Sequence, residues 1–182
     1  MITGNQGKAE EFQSLLAIPE LDFRFLPLPL PEIQSDDIAE IGKYKTQEVF
    51  KFDKEIQSYD AVMTDDTGLA LKALNGLPGP LIKWFLKALS IEGLYNLADQ
   101  NNSAIATCLL TVGFVGTAEI IQFRGDVEGR LVAPRGTRGF GWDPIFLPIG
   151  QSKTYGELSS VDKNKMSHRA LAVNAFRNWI VS

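Results

Sequence analysis

The first residues of the chain form a polar, glycine-containing segment that suits the binding of an anion. Thr3-Gly4-Asn5-Gln6-Gly7-Lys8 precedes a helix predicted over 8–16. A loop of this kind can direct backbone N–H groups at an anion, while the helix N-terminus and a lysine add positive charge. The segment is not a Walker A loop, because Ala9 follows Gly7-Lys8 where that loop has serine or threonine. A tight strand-to-helix turn without a ligand is the alternative interpretation.

Two adjacent carboxylates, Asp65 and Asp66, follow a short buried strand predicted over 61–63. Open α/β sheets bind ligands at the carboxyl ends of their strands. Neighbouring carboxylates repel each other unless a cation or a shared proton compensates. Oxygen ligands favour Mg²⁺, which keeps several waters and bridges to substrate phosphates. Solvated turn residues or a helix cap are the alternative, since Thr67-Gly68 follows directly.

Large aromatic side chains alternate with glycines in Phe140-Gly141-Trp142-Asp143-Pro144. Glycine lets the backbone approach a flat ligand, and an aromatic ring can stack on that ligand. The carboxylate of Asp143 can accept hydrogen bonds from ring N–H groups. Aromatic residues that close the end of a hydrophobic core are the alternative interpretation.

Two basic side chains near the end of the sequence fall in the first turn of a predicted helix, where positive charge is unfavourable. Ser167 is a suitable N-cap for a helix predicted over 168–181. His168 and Arg169 then occupy the first turn, where the helix dipole opposes cations. A bound polyphosphate would reverse this conflict, because the cations and the N–H groups would then meet the same anion. The alternative is that both side chains point to solvent.

The elements that must position these segments mix hairpins with helices, which predicts an α/β or α+β fold with a mixed sheet. Alternating prolines keep 26–31 extended, and Lys45 interrupts the apolar stripe of a helix over 36–52. Further strands are predicted over 23–26, 104–114, 119–123 and 129–133, and further helices over 81–89 and 91–99.

Composition narrows the classes of function. The 182 residues suit one domain. The net charge of −4 makes nucleic acid a poor partner, so a polyanionic ligand requires cations gathered in one place. The single cysteine, Cys108, excludes an intramolecular disulfide and argues against a cysteine-rich zinc site. No apolar run approaches the ~20 residues of a membrane span, so we expect a cytoplasmic protein with no membrane partner.

Four segments, in order, resemble the inosine triphosphate pyrophosphatase family. The resemblance runs from residue 3 to about residue 180 and rests on Thr3-Gly4-Asn5 with Lys8, 65–85, 140–146, and Lys163-Asn164 with Ser167-His168-Arg169. It implies Mg²⁺-dependent cleavage of inosine, deoxyinosine and xanthosine triphosphates to the monophosphate and pyrophosphate, which removes non-standard purines from the nucleotide pool. It also implies one domain over 1–182, with an elongated, twisted mixed β-sheet flanked by helices and two lobes about a central cleft, in a homodimer.

The resemblance also assigns roles by position. It implies Asp66 as the catalytic carboxylate and a metal ligand, with Glu32 as a second metal ligand and Glu40 as the alternative. The substrate-binding residues that it implies are Thr3, Gly4, Asn5, Gln6, Gly7, Lys8, Thr67, Lys83, Phe140, Gly141, Trp142, Asp143, Lys163, His168 and Arg169.

Two positions depart from the family pattern. Only Met1 and Ile2 precede Thr3, where members have a longer apolar strand, and Gly42 stands where some members have lysine. Lys43 and Lys45 are the candidate substitutes for that lysine. Three other functions stay open at this point: a nucleotide pyrophosphatase of different base preference, a non-hydrolysing nucleotide-binding protein, and a phosphatase that releases orthophosphate.

Overall fold

The protein is built on a five-stranded antiparallel sheet with the strand order β2-β1-β3-β4-β5. This computed structural model describes residues 1–19, 21–52, 56–98, 102–117 and 119–182. The strands are β1 (Ala61–Leu71), β2 (Pro78–Gly79), β3 (Ser103–Phe114), β4 (Ile120–Leu131) and β5 (Phe146–Pro148). The three long strands lie side by side and form the surface on which the helices pack.

Ile2 adds parallel pairing to an otherwise antiparallel sheet. Ile2 forms single-residue parallel bridges to Leu26 and to Thr64. Its amide donates to the Met63 carbonyl at 2.8 Å, and the Leu26 amide donates to the Met1 carbonyl at 2.9 Å. The strand before Thr3 is therefore one residue long, and the strand predicted over 23–26 is reduced to the bridge at Leu26.

The helices are α1 (Gln6–Leu15), α2 (Ile38–Val49), α3 (Ile82–Asn96), α4 (Ser160–Lys163) and α5 (His168–Ile180). Side-chain oxygens of Asn5, Asp37 and Ser167 accept backbone N–H groups at the starts of α1, α2 and α5. Ser90 has a φ of 63° and breaks α3 into the two predicted helices, although residue 99 lies outside the described residues. None of the described helices is long and apolar enough to cross a membrane.

Two predicted strand boundaries are wrong. β1 continues through Asp65 and Asp66 instead of ending before them, because nearby cations compensate both carboxylates within the sheet. The strands predicted over 119–123 and 129–133 are parts of one strand, β4. Gly125 lies within it because helix α5 approaches closely there: a Cβ on Gly125 would lie 2.1 Å from the His168 carbonyl oxygen.

The buried apolar side chains of the described residues include three groups. One packs α1 and α5 on the sheet around Phe12 and Phe176, a second joins α3 to β5 around Ile82 and Phe146, and a third surrounds Ile2. The division into two lobes within one domain stays a prediction.

Candidate active site

All four sequence motifs contribute to one cavity of about 710 Å³. Its walls come from the loop before α1, the segment before α2, α2, β1, the start of α3, the loop before β5, α4 and the start of α5. The predicted site residues that line it are Thr3, Gly4, Asn5, Lys8, Glu32, Asp66, Thr67, Lys83, Phe140, Gly141, Trp142, Asp143, Lys163, His168 and Arg169.

Two predicted binding residues do not line this cavity. The Gln6 side-chain amide donates to Glu10 at 3.0 Å. Gly7 serves packing, because a Cβ there would lie 2.6 Å from the ring of Phe140. Of the two candidates for the second metal ligand, Glu32 lines the cavity, whereas Glu40 does not and accepts a hydrogen bond from the Ser35 hydroxyl at 2.6 Å.

Asp65 and Asp66 have different partners because adjacent side chains of a strand point to opposite faces of the sheet. The Oδ2 atom of Asp65 lies 2.8 Å from the Lys8 Nζ and 3.8 Å from an Arg169 nitrogen. Asp66 accepts a hydrogen bond from Lys45 through Oδ1. Burial raises the pKa of both carboxyls, but Lys8 and Arg169 outweigh it at Asp65, whose pKa is lowered. Burial prevails at Asp66, whose pKa is raised.

Lys45, and not Lys43, supplies the ammonium group that some family members provide from the position of Gly42. Gly42 has no room for a side chain, since a Cβ would lie 2.4 Å from the Thr111 hydroxyl, and Lys43 is exposed. The Lys45 Nζ contacts Asp66 and lies 3.0 Å from Glu32. Burial lowers the pKa of Lys45, but its two carboxylate partners outweigh this effect and leave the pKa raised.

The carboxylates of Asp66 and Glu32 fit a divalent cation that completes its coordination with phosphate and water. The Asp66 Oδ2 atom is buried and has no hydrogen-bond partner in the described part of the chain. Across the described ranges, no group of three His, Cys, Asp or Glu side chains forms a metal site by itself. Mg²⁺ is commonly held by one or two carboxylates plus substrate phosphates, so this donor set suits it.

Glu11, which the sequence analysis missed, joins the two cations from the end of the chain. Its Oε1 lies 2.7 Å from the Lys163 Nζ, and its Oε2 accepts a hydrogen bond from Arg169. Lys163 also lies 2.6 Å from Asp143, and Arg169 donates to the Thr67 hydroxyl at 3.2 Å. Because 152 positions separate Glu11 from Lys163, no local pattern indicates the pair. The sequence feature that could have indicated Glu11 is its position three residues after Lys8, which places both side chains on one face of the helix.

An aromatic wall encloses His168. Trp142 is 6% exposed, and its ring centroid lies 5.3 Å from that of the imidazole. Tyr155, which the sequence analysis also missed, stacks on the imidazole at 5.9 Å. The Phe140 amide donates to Asp143 at 2.8 Å, which fixes the loop that carries Trp142.

His168 is not the cation that the sequence analysis expected in the first turn of α5. Burial, followed by the charges of Arg169, Lys163 and Lys8, lowers its pKa well below 6.5. The imidazole is therefore neutral at pH 7, and its two nitrogens have no hydrogen-bond partner among the residues described. Since His168 and Arg169 are both buried, the alternative in which they point to solvent is excluded.

Lys83 is the cleft cation nearest to solvent. It lies on the exposed side of α3, and its Nζ is 5.6 Å from the centroid of the neighbouring Trp84 ring. Within the described residues it makes no ion pair with a carboxylate.

Comparison with known proteins gives the family. The sequence model of the Ham1 family matches residues 1–179. The chain belongs to the Ham1 family. An inosine triphosphate pyrophosphatase from Ajellomyces capsulatus is 40% identical to this Ham1 protein over 181 residues, which are 98% of this chain and 94% of the relative. The family resemblance predicted from four motifs is therefore confirmed.

Three solved structures share the fold of this chain. A HAM1 protein from Coxiella burnetii is 26% identical, with a TM-score of 0.82 over 99% of this chain and 96% of that chain. The Staphylococcus aureus Ham1 protein is 25% identical, with a TM-score of 0.72 over 98% and 96% of the two chains. A nucleoside-triphosphatase, named a dITP/XTP pyrophosphatase, from Mycobacterium abscessus is 25% identical, with a TM-score of 0.70 over 96% and 95%. The predicted mixed α/β fold is confirmed.

Proposed function

We propose that this Ham1 protein hydrolyses non-standard purine nucleoside triphosphates, with hypoxanthine or xanthine as the base, to the monophosphate and pyrophosphate. The observation that carries the proposal is the meeting of lysine and arginine side chains with a buried, partly unpartnered Asp66 in one cleft. The name of the Ajellomyces capsulatus relative, an inosine triphosphate pyrophosphatase, supports the same reaction.

Asp66 is the proposed proton acceptor. Its Oδ2 atom has no hydrogen-bond partner in the described structure, and burial raises its pKa against the opposing effect of Lys45. A carboxylate oxygen that is free of other hydrogen bonds can accept a proton from an adjacent water molecule. In this role Asp66 orients and deprotonates a water molecule for in-line attack on the α-phosphorus.

The leaving pyrophosphate is the group that the cleft cations stabilise in this proposal. Negative charge moves onto it as the bond between the α- and β-phosphates breaks. Fixed cations that meet this developing charge lower the energy of the transition state more than that of the substrate. The residues proposed for this role are Lys8, Lys83, Lys163 and Arg169.

Mg²⁺ is the proposed cofactor, with Asp66 and Glu32 as its protein ligands. When bound, the ion withdraws charge from the phosphate oxygens and favours ionisation of water. Glu32 is suited to the role because it is ionised: burial raises its pKa, but Lys45 and then Lys83 and Lys8 outweigh burial and leave the pKa lowered.

Hydrogen-bond polarity is the proposed basis of base selection. Hypoxanthine and xanthine present a 6-keto acceptor and an N1–H donor, whereas adenine presents the reverse. Neutral His168 can donate one ring N–H to the keto oxygen, and the carboxylate of Asp143 can accept from N1–H. Adenine would place its N1 acceptor against the Asp143 carboxylate and its amino group against the imidazole N–H, and each mismatched pair would cost about 1–3 kcal/mol.

We also propose that the protein is a homodimer of single-domain, two-lobed subunits and is located in the cytoplasm. The dimer and the two lobes are inferred from the resemblance to the family. Light scattering on the purified protein checks the oligomeric state: a dimer supports the proposal, and a monomer at working concentration contradicts it.

Product identification tests the proposed reaction. Purified protein is incubated with inosine triphosphate and Mg²⁺, and nucleotides, pyrophosphate and orthophosphate are quantified separately. We expect inosine monophosphate and pyrophosphate in equal amounts, and no turnover after chelation of the metal. Orthophosphate as the product would indicate a phosphatase, and binding without turnover would indicate a nucleotide-binding protein. Faster cleavage of adenosine or pyrimidine triphosphates would indicate a pyrophosphatase of different base preference.

A further inference from the structure

The cations of the cleft are held in two different ways. Four of them contact carboxylates: Lys8, Lys45, Lys163 and Arg169. Lys83 has no carboxylate oxygen within 4 Å among the described residues. A carboxylate partner fixes the position of a cation but also offsets its charge. Lys83 is therefore the cleft cation whose charge is least compensated by the protein.

Trp84 provides a different kind of contact to Lys83. Its indole is 54% exposed and lines the cleft. The Lys83 Nζ lies 5.6 Å from the indole centroid, within the range of about 6 Å over which a cation is attracted to an aromatic face. This attraction restrains the ammonium group but brings no opposite formal charge, so the field of Lys83 towards the cleft persists.

Lys87 adds a second cation to the same ring. Its Nζ lies 5.9 Å from the Trp84 centroid, one helical turn after Lys83. Both ammonium groups are positively charged and exposed, so the surface around Trp84 attracts an anion.

We infer that Trp84 is a positioning residue that holds Lys83, without neutralising it, for an incoming phosphate chain. The inference adds a residue to the site of the proposed function, and it depends on that function for the identity of the nucleotide. The ligand class that it addresses is the polyphosphate itself, so it can be tested without hydrolysis.

The test is the binding of inorganic tripolyphosphate by calorimetry to the wild type and to W84L, W84F and K83Q. Loss of an exposed cation–π contact weakens binding by about two- to fivefold. We expect that loss for W84L and a smaller one for W84F, which keeps an aromatic face. In the K83Q background, W84L should cause no further loss, because Trp84 acts through Lys83. If Trp84 had a purely structural role, W84L would weaken the binding of tripolyphosphate in the K83Q background as well.

W179L is the matched control for removal of a tryptophan. Trp179 is 41% exposed, lies near the end of α5 and does not line the cleft, so this variant should bind tripolyphosphate like the wild type. The inference is overturned if W84L binds normally, if it loses as much affinity with K83Q as without it, or if the wild type does not bind tripolyphosphate. Turnover of inosine triphosphate is measured separately, so failure of the proposed reaction leaves these binding results interpretable.

Discussion

At the scale of single residues, the environment gives chemically identical groups different tasks. Asp65 faces Lys8 and Arg169, and its pKa is lowered, so it stays an anion that anchors cations. Asp66 faces Lys45 from the other side of β1, and its pKa is raised. The sequence predicted the carboxylate pair, but the difference between its members depends on contacts with distant helices.

The first residue-scale prediction concerns Asp66. Asp66→Asn keeps the size of the side chain but removes the proton acceptor, so kcat for inosine triphosphate should fall by at least about 100-fold. Steady-state kinetics measures the effect. Asp22→Asn, at an exposed carboxylate outside the cleft, is the matched control and should leave kcat unchanged. Near-normal turnover by Asp66→Asn would remove Asp66 from its proposed role.

The second residue-scale prediction concerns base selection by His168. His168→Leu removes both ring nitrogens, whereas His168→Asn keeps an N–H donor. We expect His168→Leu to lower the ratio of kcat/KM for inosine over adenosine triphosphate by about tenfold or more, and His168→Asn to restore part of it. If both nucleotides lose activity equally in His168→Leu, the imidazole does not discriminate between the bases.

At the scale of elements, short-range patterns predicted most helices and the hairpin, and failed where long-range contacts decide. The alternation of apolar residues in β3 and the Ser167 cap of α5 are local signals, and both are confirmed. The contact of Glu11 with Lys163 joins opposite ends of the chain. Gly125 resembles a turn residue in sequence, yet its role is to admit the backbone of α5 against β4.

The element-scale prediction follows from that close approach. In Gly125→Ala the new Cβ would lie 2.1 Å from the His168 carbonyl oxygen and 2.5 Å from the Ala172 amide, so α5 must move off the sheet. We expect a loss of about 1–3 kcal/mol in the free energy of unfolding, measured by urea denaturation. Gly4→Ala, where no atom beyond the adjacent residues lies within 4 Å of the added Cβ, should change it by less than about 0.5 kcal/mol. Equal stability of the two variants would contradict the packing argument.

At the scale of the whole molecule, an acidic chain gathers its distant lysines and an arginine in one cleft. The net charge of −4 excludes a generally basic surface, and the cleft cations come from both ends and the middle of the sequence. The sequence predicted that they converge, because four motifs with anion-binding chemistry need one ligand. The sequence did not predict that most of these cations form ion pairs with carboxylates of the protein.

The pH dependence of folding is the prediction at this scale. His168 is the only histidine, and burial lowers its pKa well below 6.5 in the folded protein. The unfolded chain therefore binds more protons below about pH 6.5, and the free energy of unfolding falls as the pH decreases through that range. We expect a loss of about 1 kcal/mol between about pH 6.5 and pH 5.5 from this group, measured by urea denaturation.

His168→Leu isolates that contribution. The Met1 amine, whose pKa burial lowers to about 6, acts in the same direction and is present in both proteins. The variant should therefore lose less stability than the wild type as the pH decreases from 6.5. Parallel pH profiles of the two proteins would show that His168 does not titrate on unfolding.

Hydrolysis of inosine triphosphate in ¹⁸O-labelled water tests most directly where the bond is broken. If Asp66 directs water to the α-phosphorus, the label appears in inosine monophosphate and not in the pyrophosphate. Mass spectrometry of the two products distinguishes these positions. Label in the pyrophosphate, or in released orthophosphate, would show that water attacks a different phosphorus and would contradict the account of this cleft.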